Sequence, residues 1–129
     1  MQFGWGIEGL AGVAFLKRDF ASAYAFHIES LRVKLEITDK PGIVYSLEGI
    51  AQVAAAQEKP ERAAVLWGAA HHLRERMNIP PDPSREEIYT SLIPQTREQI
   101  GERVFDELWR KGKSMKLEDA VNFAMSHSP

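Results

Sequence analysis

The sequence contains no cysteine among its 129 residues, which excludes disulfide bonds and thiolate chemistry and makes a reducing compartment the expected setting. No stretch approaches the roughly 18 uncharged apolar residues that a transmembrane helix needs. The first residues lack a basic segment followed by an apolar run, so no signal peptide is expected. Together these absences predict a cytoplasmic protein that contacts no membrane.

Phosphate-binding patterns and excess positive charge are missing as well. The nine glycines form neither GxGxxG nor GxxxxGK[ST], the patterns that hold nucleotide phosphates. The net charge is −2, so the whole molecule has no electrostatic drive toward nucleic acid. The one basic run is interpreted as charge at the end of a helix, where cations are favourable; it comprises Arg110, Lys111, Lys113 and Lys116.

Strand signals are nearly absent and apolar residues recur at helical spacing, so we expect an all-α protein. The predicted helices cover residues 3–17, 20–37, 42–57, 60–77, 84–100, 102–111 and 117–125. Asp19 can cap the second helix with its carboxylate, whereas Lys59, at the equivalent place before the fourth, has no capping oxygen. Pro94 is expected to kink or split the fifth helix, and Gly112 is expected to end the sixth.

A seven-residue pattern recurs forty positions along the chain. The sequence EGLAGVA at 8–14 is echoed by EGIAQVA at 48–54, and Ala23 is echoed by Ala63. Small residues at these places let two antiparallel helices approach closely. The repeat therefore predicts two helical hairpins within residues 1–79, arranged as a right-handed α-solenoid.

The segment 78–83, with three prolines, stops the helical pattern, and the repeat does not resume after it. Ser84 and Glu87 then have the spacing of a capping box. Two copies are fewer than the three or so that such arrays need for stability. Residues 84–129 are therefore expected to form a three-helix C-terminal cap within one continuous domain.

The order and spacing of several segments carry a resemblance to a known group of proteins. The carrying segments are YSLEGIA at 45–51, ERAAVLWGAA at 61–70, GERVF at 101–105, Trp109, Gly112 and LEDAV at 117–121. Over roughly residues 4–125 the chain resembles the tetratricopeptide-repeat-like C-terminal region of bacterial LuxR-family and AfsR-like ATPase regulators and of related repeat-bearing adenylate cyclases and kinases. The resemblance implies a repeat fold and a role in signalling or transcriptional regulation. The repeat length departs from the usual 34 residues, and Lys116 stands where that pattern favours Ser or Thr.

The candidate catalytic residues are histidines and carboxylates. His71 and Glu75 are four residues apart on one predicted helix, a spacing that can hold a metal. Further ligands are needed, and the other histidines are remote in sequence, so a solvated helix face is the favoured interpretation. His27 falls at a packing position and is expected to be partly buried and hydrogen-bonded.

Glu8 and Glu48 are repeat-equivalent carboxylates, and two carboxylates about 5–10 Å apart can act as acid and base. The repeat explains their recurrence without catalysis. We therefore predict a protein that is not an enzyme, with no catalytic residue, no cofactor and no metal.

By helical phase, the outward positions of the two first helices are predicted to line a partner-binding groove: Trp5, Glu8, Phe15, Tyr45, Glu48 and Gln52. Aromatic residues beside carboxylates suit a peptide or an amphipathic helix. The predicted function is an interaction or sensing module of a bacterial regulator whose partner is a protein, a peptide or a small effector. The alternative is a structural unit that forms a homodimer through the uncapped N-terminal hairpin.

Overall fold

A computed structural model describes the backbone of residues 3–126 and the side chains of residues 6–126. Within this range the chain forms seven α-helices and no strand, which confirms the all-α class. No helix in this range has the length and apolarity needed to cross a bilayer. The helices are α1 (Phe3–Leu16), α2 (Phe20–Glu36), α3 (Lys40–Ala56), α4 (Pro60–Met77), α5 (Ile93–Ile100), α6 (Glu102–Lys113) and α7 (Leu117–Met125).

The turns that end the first four helices share one geometry. Each contains a non-glycine residue in the left-handed region, at intervals of twenty positions: Arg18, Thr38, Glu58 and Asn78. The following residue donates its N–H to the carbonyl five positions back, as Asp39 does to Lys34 at 2.9 Å. This bond closes a Schellman motif. The forty-residue repeat is therefore two helix-and-turn units of about twenty residues each.

Capping oxygens distinguish these helix starts as the sequence predicts. The Asp19 carboxylate accepts from the Ser22 N–H at 3.2 Å, whereas Lys59 makes no side-chain cap before α4. Asp39 caps α3 by accepting from the Gly42 N–H at 3.0 Å. Because Asp39 is the cap, α3 begins at Lys40 rather than at the predicted position 42.

Each of the first four helices packs against the next, and α4 also packs against α6. The alanines of the repeat lie at the close approaches, since Ala11, Ala51, Ala23 and Ala63 are fully buried. The main core contains larger side chains from α2, α3, α4 and α6, among them Leu31, Leu47, Ile50, Leu66, Trp67 and Phe105. In this sequential packing α1 contacts α2 as its main helix neighbour, and the opposite face of α1 is not covered by another described helix.

The segment predicted as a fifth helix over residues 84–100, kinked or split at Pro94, is divided into three parts that end with α5. It contains a 3₁₀ turn at Pro83–Arg85 and a π-helical stretch at Ile88–Leu92. The Ser84 capping box is wrong, because Asp82 is the cap and accepts from the Ser84 N–H at 2.9 Å. Pro94 lies in the first turn of α5, directly after the π-helical stretch, so the expected split of this helix falls next to the proline.

Gly112 was expected to end α6 but lies inside it, fully enclosed against α4. A Cβ at this position would overlap the Val65 carbonyl and lie 2.8 Å from the Ala69 nitrogen. The glycine is therefore a site of close helix approach. Its side-chain hydrogen lets α6 cover α4, and this contact holds the C-terminal helices on the hairpins.

Candidate functional site

The carboxylate of Glu8 joins three helices. It projects from α1 with its side chain 12% exposed, and its Oε1 lies 2.7 Å from His27 Nδ1 on α2. Its Oε2 accepts from Lys34 Nζ at 2.6 Å. The same oxygen accepts from the Ser30 hydroxyl at 3.1 Å and from the Ser46 hydroxyl of α3 at 2.8 Å. The expectation of a buried His27 is confirmed, since that residue is 6% exposed.

These contacts fix the charge state of Glu8. Burial disfavours the ionised form, but the imidazole of His27 next to Oε1 and the ammonium of Lys34 outweigh it. Together they hold the pKa of the Glu8 carboxyl well below its ordinary value of 4.5. A general base works best with a pKa near the operating pH. Glu8 is therefore suited to an ion pair and poorly suited to proton transfer.

The second carboxylate, Glu48 on α3, is fully buried. Arg74 of α4 binds it in a bidentate manner, with Nη2 donating to Oε1 at 2.6 Å and Nε donating to Oε2 at 2.8 Å. The Tyr89 hydroxyl also donates to Oε2, and Arg85 Nη1 lies 3.8 Å from Oε1. Arg74 Nη1 donates to the Pro80 carbonyl at 2.7 Å. The cluster thereby ties the segment after α4 to both helices of the second hairpin.

The surroundings of Tyr89 agree with this arrangement. Burial, followed by the charge and hydrogen bond of Glu48, raises the pKa of the Tyr89 phenol above its ordinary value of 10.0. The guanidinium of Arg74 has its pKa raised by the hydrogen bond to Glu48. At neutral pH Arg74 is therefore a charged guanidinium and Tyr89 a neutral phenol, and both donate hydrogen bonds to Glu48.

The groove prediction is therefore wrong for Glu8 and Glu48, which point into the interior and not toward a ligand. The reason is a cation on the second helix of each hairpin that sequence analysis missed. Lys34 and Arg74 stand forty positions apart, and each follows its glutamate by 26 positions. The recurrence of a basic residue at equivalent positions of the two repeats is the sequence signal for these ion pairs. It is easily overlooked because one repeat has lysine there and the other has arginine.

The remaining predicted groove residues have mixed positions. The Tyr45 ring is half-buried, with the Arg85 guanidinium 3.6 Å and the Lys34 ammonium 5.3 Å from its centroid. Phe15 is half-buried and packs edge-on against Phe20, with ring centroids 5.3 Å apart. Gln52 is half-buried on α3, and the side chain of Trp5 lies outside the described residues. Binding of a partner by Trp5, Phe15, Tyr45 and Gln52 stays a prediction.

The candidate metal pair lies on the surface. His71 Nε2 and Glu75 Oε2 are 3.4 Å apart, with side chains 42% and 60% exposed. The His71 ring contacts Trp109, with ring centroids 5.5 Å apart. Among the residues whose positions are described, no three His, Cys, Asp or Glu side chains are grouped as a metal site requires. His127 lies outside that range.

A third feature is the uncovered side of α1. Leu10, Val13 and Leu16 are 51%, 50% and 83% exposed. Three exposed glycines accompany them, and a Cβ built on any of the three meets nothing within 4 Å. We call these residues the outer face of α1: Gly6, Gly9, Leu10, Gly12, Val13 and Leu16. No charged residue occurs between Glu8 and Lys17, and Glu8 is turned inward. The outer face is therefore uncharged throughout.

Comparisons of the chain with protein-family models, with curated proteins and with solved structures found no match. The chain's own geometry and its internal repeat offer three features that bear on function. Two are buried ion-pair clusters, and the third is an exposed apolar helix face.

Proposed function

We propose that the protein is a non-enzymatic, tetratricopeptide-like interaction module that binds a partner helix on the outer face of α1. The observation that carries this assignment is the exposure of Leu10, Val13 and Leu16 side by side without a charged neighbour on that face. Contiguous exposed apolar residues on a globular protein mark interaction sites more often than isolated ones do. The surface replaces the acidic groove, whose carboxylates are engaged in the interior.

The internal repeat supports a helix as the occupant. Positions 9, 10 and 13 of α1 correspond, forty residues on, to Gly49, Ile50 and Val53 of α3. These three are buried, and α2 packs against α3. Gly49 lies directly against His27 of α2, and Val53 packs in a cluster with Ala23 of α2. The same set of residues that accepts a helix on α3 is thus present and uncovered on α1.

The repeat architecture and the biological setting are parts of the same proposal. Successive packing of α1 to α4 and the common turn every twenty residues support a tetratricopeptide-like arrangement with α5 to α7 as its cap. Placement in a bacterial signalling or transcriptional regulator is supported by the sequence resemblance alone. The pairing of Glu8 with Lys34 and of Glu48 with Arg74 supports a non-enzymatic role, because neither carboxylate is available to a substrate.

A peptide with the sequence of residues 20–39, which includes α2, is the probe that tests the surface. We expect it to bind the protein weakly and saturably in an NMR titration, with shifts centred on the outer face of α1. Val13→Glu places a charge in the contact and should abolish the shifts. Gln95→Glu adds the same charge on exposed α5 and should leave them unchanged. Binding that survives Val13→Glu, or no binding at all, would contradict the proposal.

A further inference from the structure

We infer that the partner helix on the outer face of α1 is α1 of a second copy of this chain, packed antiparallel and centred on position 11. The inference rests on the proposed function, because it names the occupant of the same surface. It would make the protein a reversible dimer in which the two N-terminal hairpins meet.

The other helices of a second copy are less suitable occupants. The side of α2 that packs on α3 is already engaged by its own α3, and α4 is covered by α3 and α6. The large apolar side chains that are exposed within residues 6–126 are three on α1 together with Leu35 and Ile37 at the end of α2. Among the described helices, α1 is therefore the one with a free apolar face of several turns.

Size complementarity favours packing of α1 on α1 of the second copy. In an antiparallel pair centred on position 11, two large aliphatic residues of one helix lie beside glycines of the other. These pairs are Val13 with Gly9 and Leu16 with Gly6, and Leu10 lies at the edge of the contact. The glycines leave open hollows, since a Cβ on any of them meets nothing within 4 Å, and the aliphatic side chains project beside them. Uncharged helix faces pack closely when small residues leave hollows that receive the larger side chains of the other helix.

Charge selects the antiparallel orientation. The outer face itself is uncharged, but α1 is followed by the exposed cations Lys17 and Arg18. A parallel pair would bring these four cations together, whereas an antiparallel pair places them at opposite ends. Antiparallel helix dipoles favour the same arrangement.

The size of the face sets the expected strength. A helix of 14 residues is about 21 Å long, and a strip about 10 Å wide gives a footprint of roughly 200 Å². Stable interfaces bury about 800 Å² on each partner, so contact through α1 alone is expected to be weak. Association should therefore depend on concentration, and we look for it between about 10 µM and about 1 mM protein.

Sedimentation equilibrium of the purified full chain over that concentration range tests the inference. We expect a monomer–dimer equilibrium that Val13→Glu weakens at least tenfold and that Gln95→Glu leaves unchanged. Gly9→Ala should also weaken it, because the added methyl group fills the hollow that receives Val13 of the second copy. Circular dichroism of each variant checks that the helices remain formed.

Because the chain contains no cysteine, single cysteine variants report the orientation directly. Mixing Gly9→Cys with Val13→Cys under mild oxidation should give crosslinked heterodimers faster than either variant gives homodimers. Faster homodimer formation would indicate a parallel pair and would overturn the inference, as would a dimer unaffected by Val13→Glu. A wild-type monomer at every concentration would also overturn it. If that monomer still binds the peptide of residues 20–39, the proposed function survives; if it does not, both fail.

Discussion

Gly49 of α3 lies directly against the imidazole of His27 on α2, so that a Cβ at position 49 would stand 2.7 Å from His27 Nε2. The imidazole cannot easily move away, because its Nδ1 is held 2.7 Å from the Glu8 carboxylate. Gly9, the equivalent of Gly49 in the first repeat, meets nothing. One residue type at equivalent positions therefore has two roles, one in the interior and one on an open surface.

This difference predicts opposite effects of the same substitution. Gly49→Ala should destabilise the protein by about 1–3 kcal/mol, because overpacking forces His27 or the helices apart. Gly9→Ala should stabilise the monomer by about 0.5–1 kcal/mol, because alanine loses less backbone entropy in a helix. Urea denaturation at a low protein concentration measures both. Changes of the same sign would contradict the assignment of Gly49 to a tight contact.

The buried pair of Glu48 and Arg74 predicts a large effect of removing the cation. Arg74→Met should destabilise the protein by about 3–5 kcal/mol, because the fully buried Glu48 loses its charge partner. Glu75→Gln, which removes a neighbouring exposed charge of α4, is the control and should change the free energy of unfolding by less than about 1 kcal/mol. Chemical denaturation of the two variants separates these outcomes.

The same pair should behave non-additively. Arg74→Met combined with Glu48→Leu removes both charges and fills part of the space with apolar atoms. The double variant should be more stable than Arg74→Met alone, since replacing both partners of a buried pair is often tolerated better than removing one. If the double variant is as unstable as Arg74→Met or less stable, the buried charge of Glu48 does not need Arg74 as its partner.

The lowered pKa of the Glu8 carboxyl predicts that the protein loses stability in acid. Its pKa in the folded protein lies below the ordinary value of 4.5, so below about pH 5 the unfolded chain takes up a proton that the folded protein resists. Folding is therefore favoured above that range and weakens as the pH falls. The free energy of unfolding should rise with pH between about pH 3 and pH 5, and Glu8→Gln should flatten this rise. Glu75→Gln should leave the slope of the wild type unchanged, and a Glu8→Gln slope equal to that of wild type would contradict the ion pair.

The first four helices could be predicted from the sequence because two local signals agree there. Apolar periodicity fixed α2 and α4 to within one residue, and the capping carboxylate of Asp19 marked the start of α2. The forty-residue echo also located the buried alanines. The echo identifies which positions of the two hairpins are equivalent, but it does not show whether their side chains point into the core or toward solvent. Helical phase predicts outward positions for Glu8 and Glu48, whereas each carboxylate turns inward to a cation 26 residues further along the chain.

The structure of the C-terminal segment was harder to predict from the sequence, because its backbone conformation is set by tertiary contacts. The π-helical stretch at Ile88–Leu92 presents Tyr89 to Glu48, and no local pattern encodes that contact. Gly112 was assigned to a helix end, where glycine is common. Its place within α6, one residue before the last, reflects the approach to Val65 of α4, which depends on how the two helices cross. Long-range packing decides both features, and periodicity within one segment does not report it.

The turn after α2 predicts a stabilising substitution. Thr38 has φ 55°, in the left-handed region that a β-branched residue disfavours. Its N–H and that of Asp39 donate to carbonyls at the end of α2, so the turn is held in this conformation despite the strain. Thr38→Gly removes the Cβ clash and should raise the free energy of unfolding by about 0.5–1 kcal/mol, after the entropy that glycine costs in the unfolded chain. Thr38→Ala keeps the Cβ and should give less than half of that gain. Thermal and urea unfolding of the two variants measure the difference, and an equal or smaller gain for glycine would show that the left-handed turn is not strained.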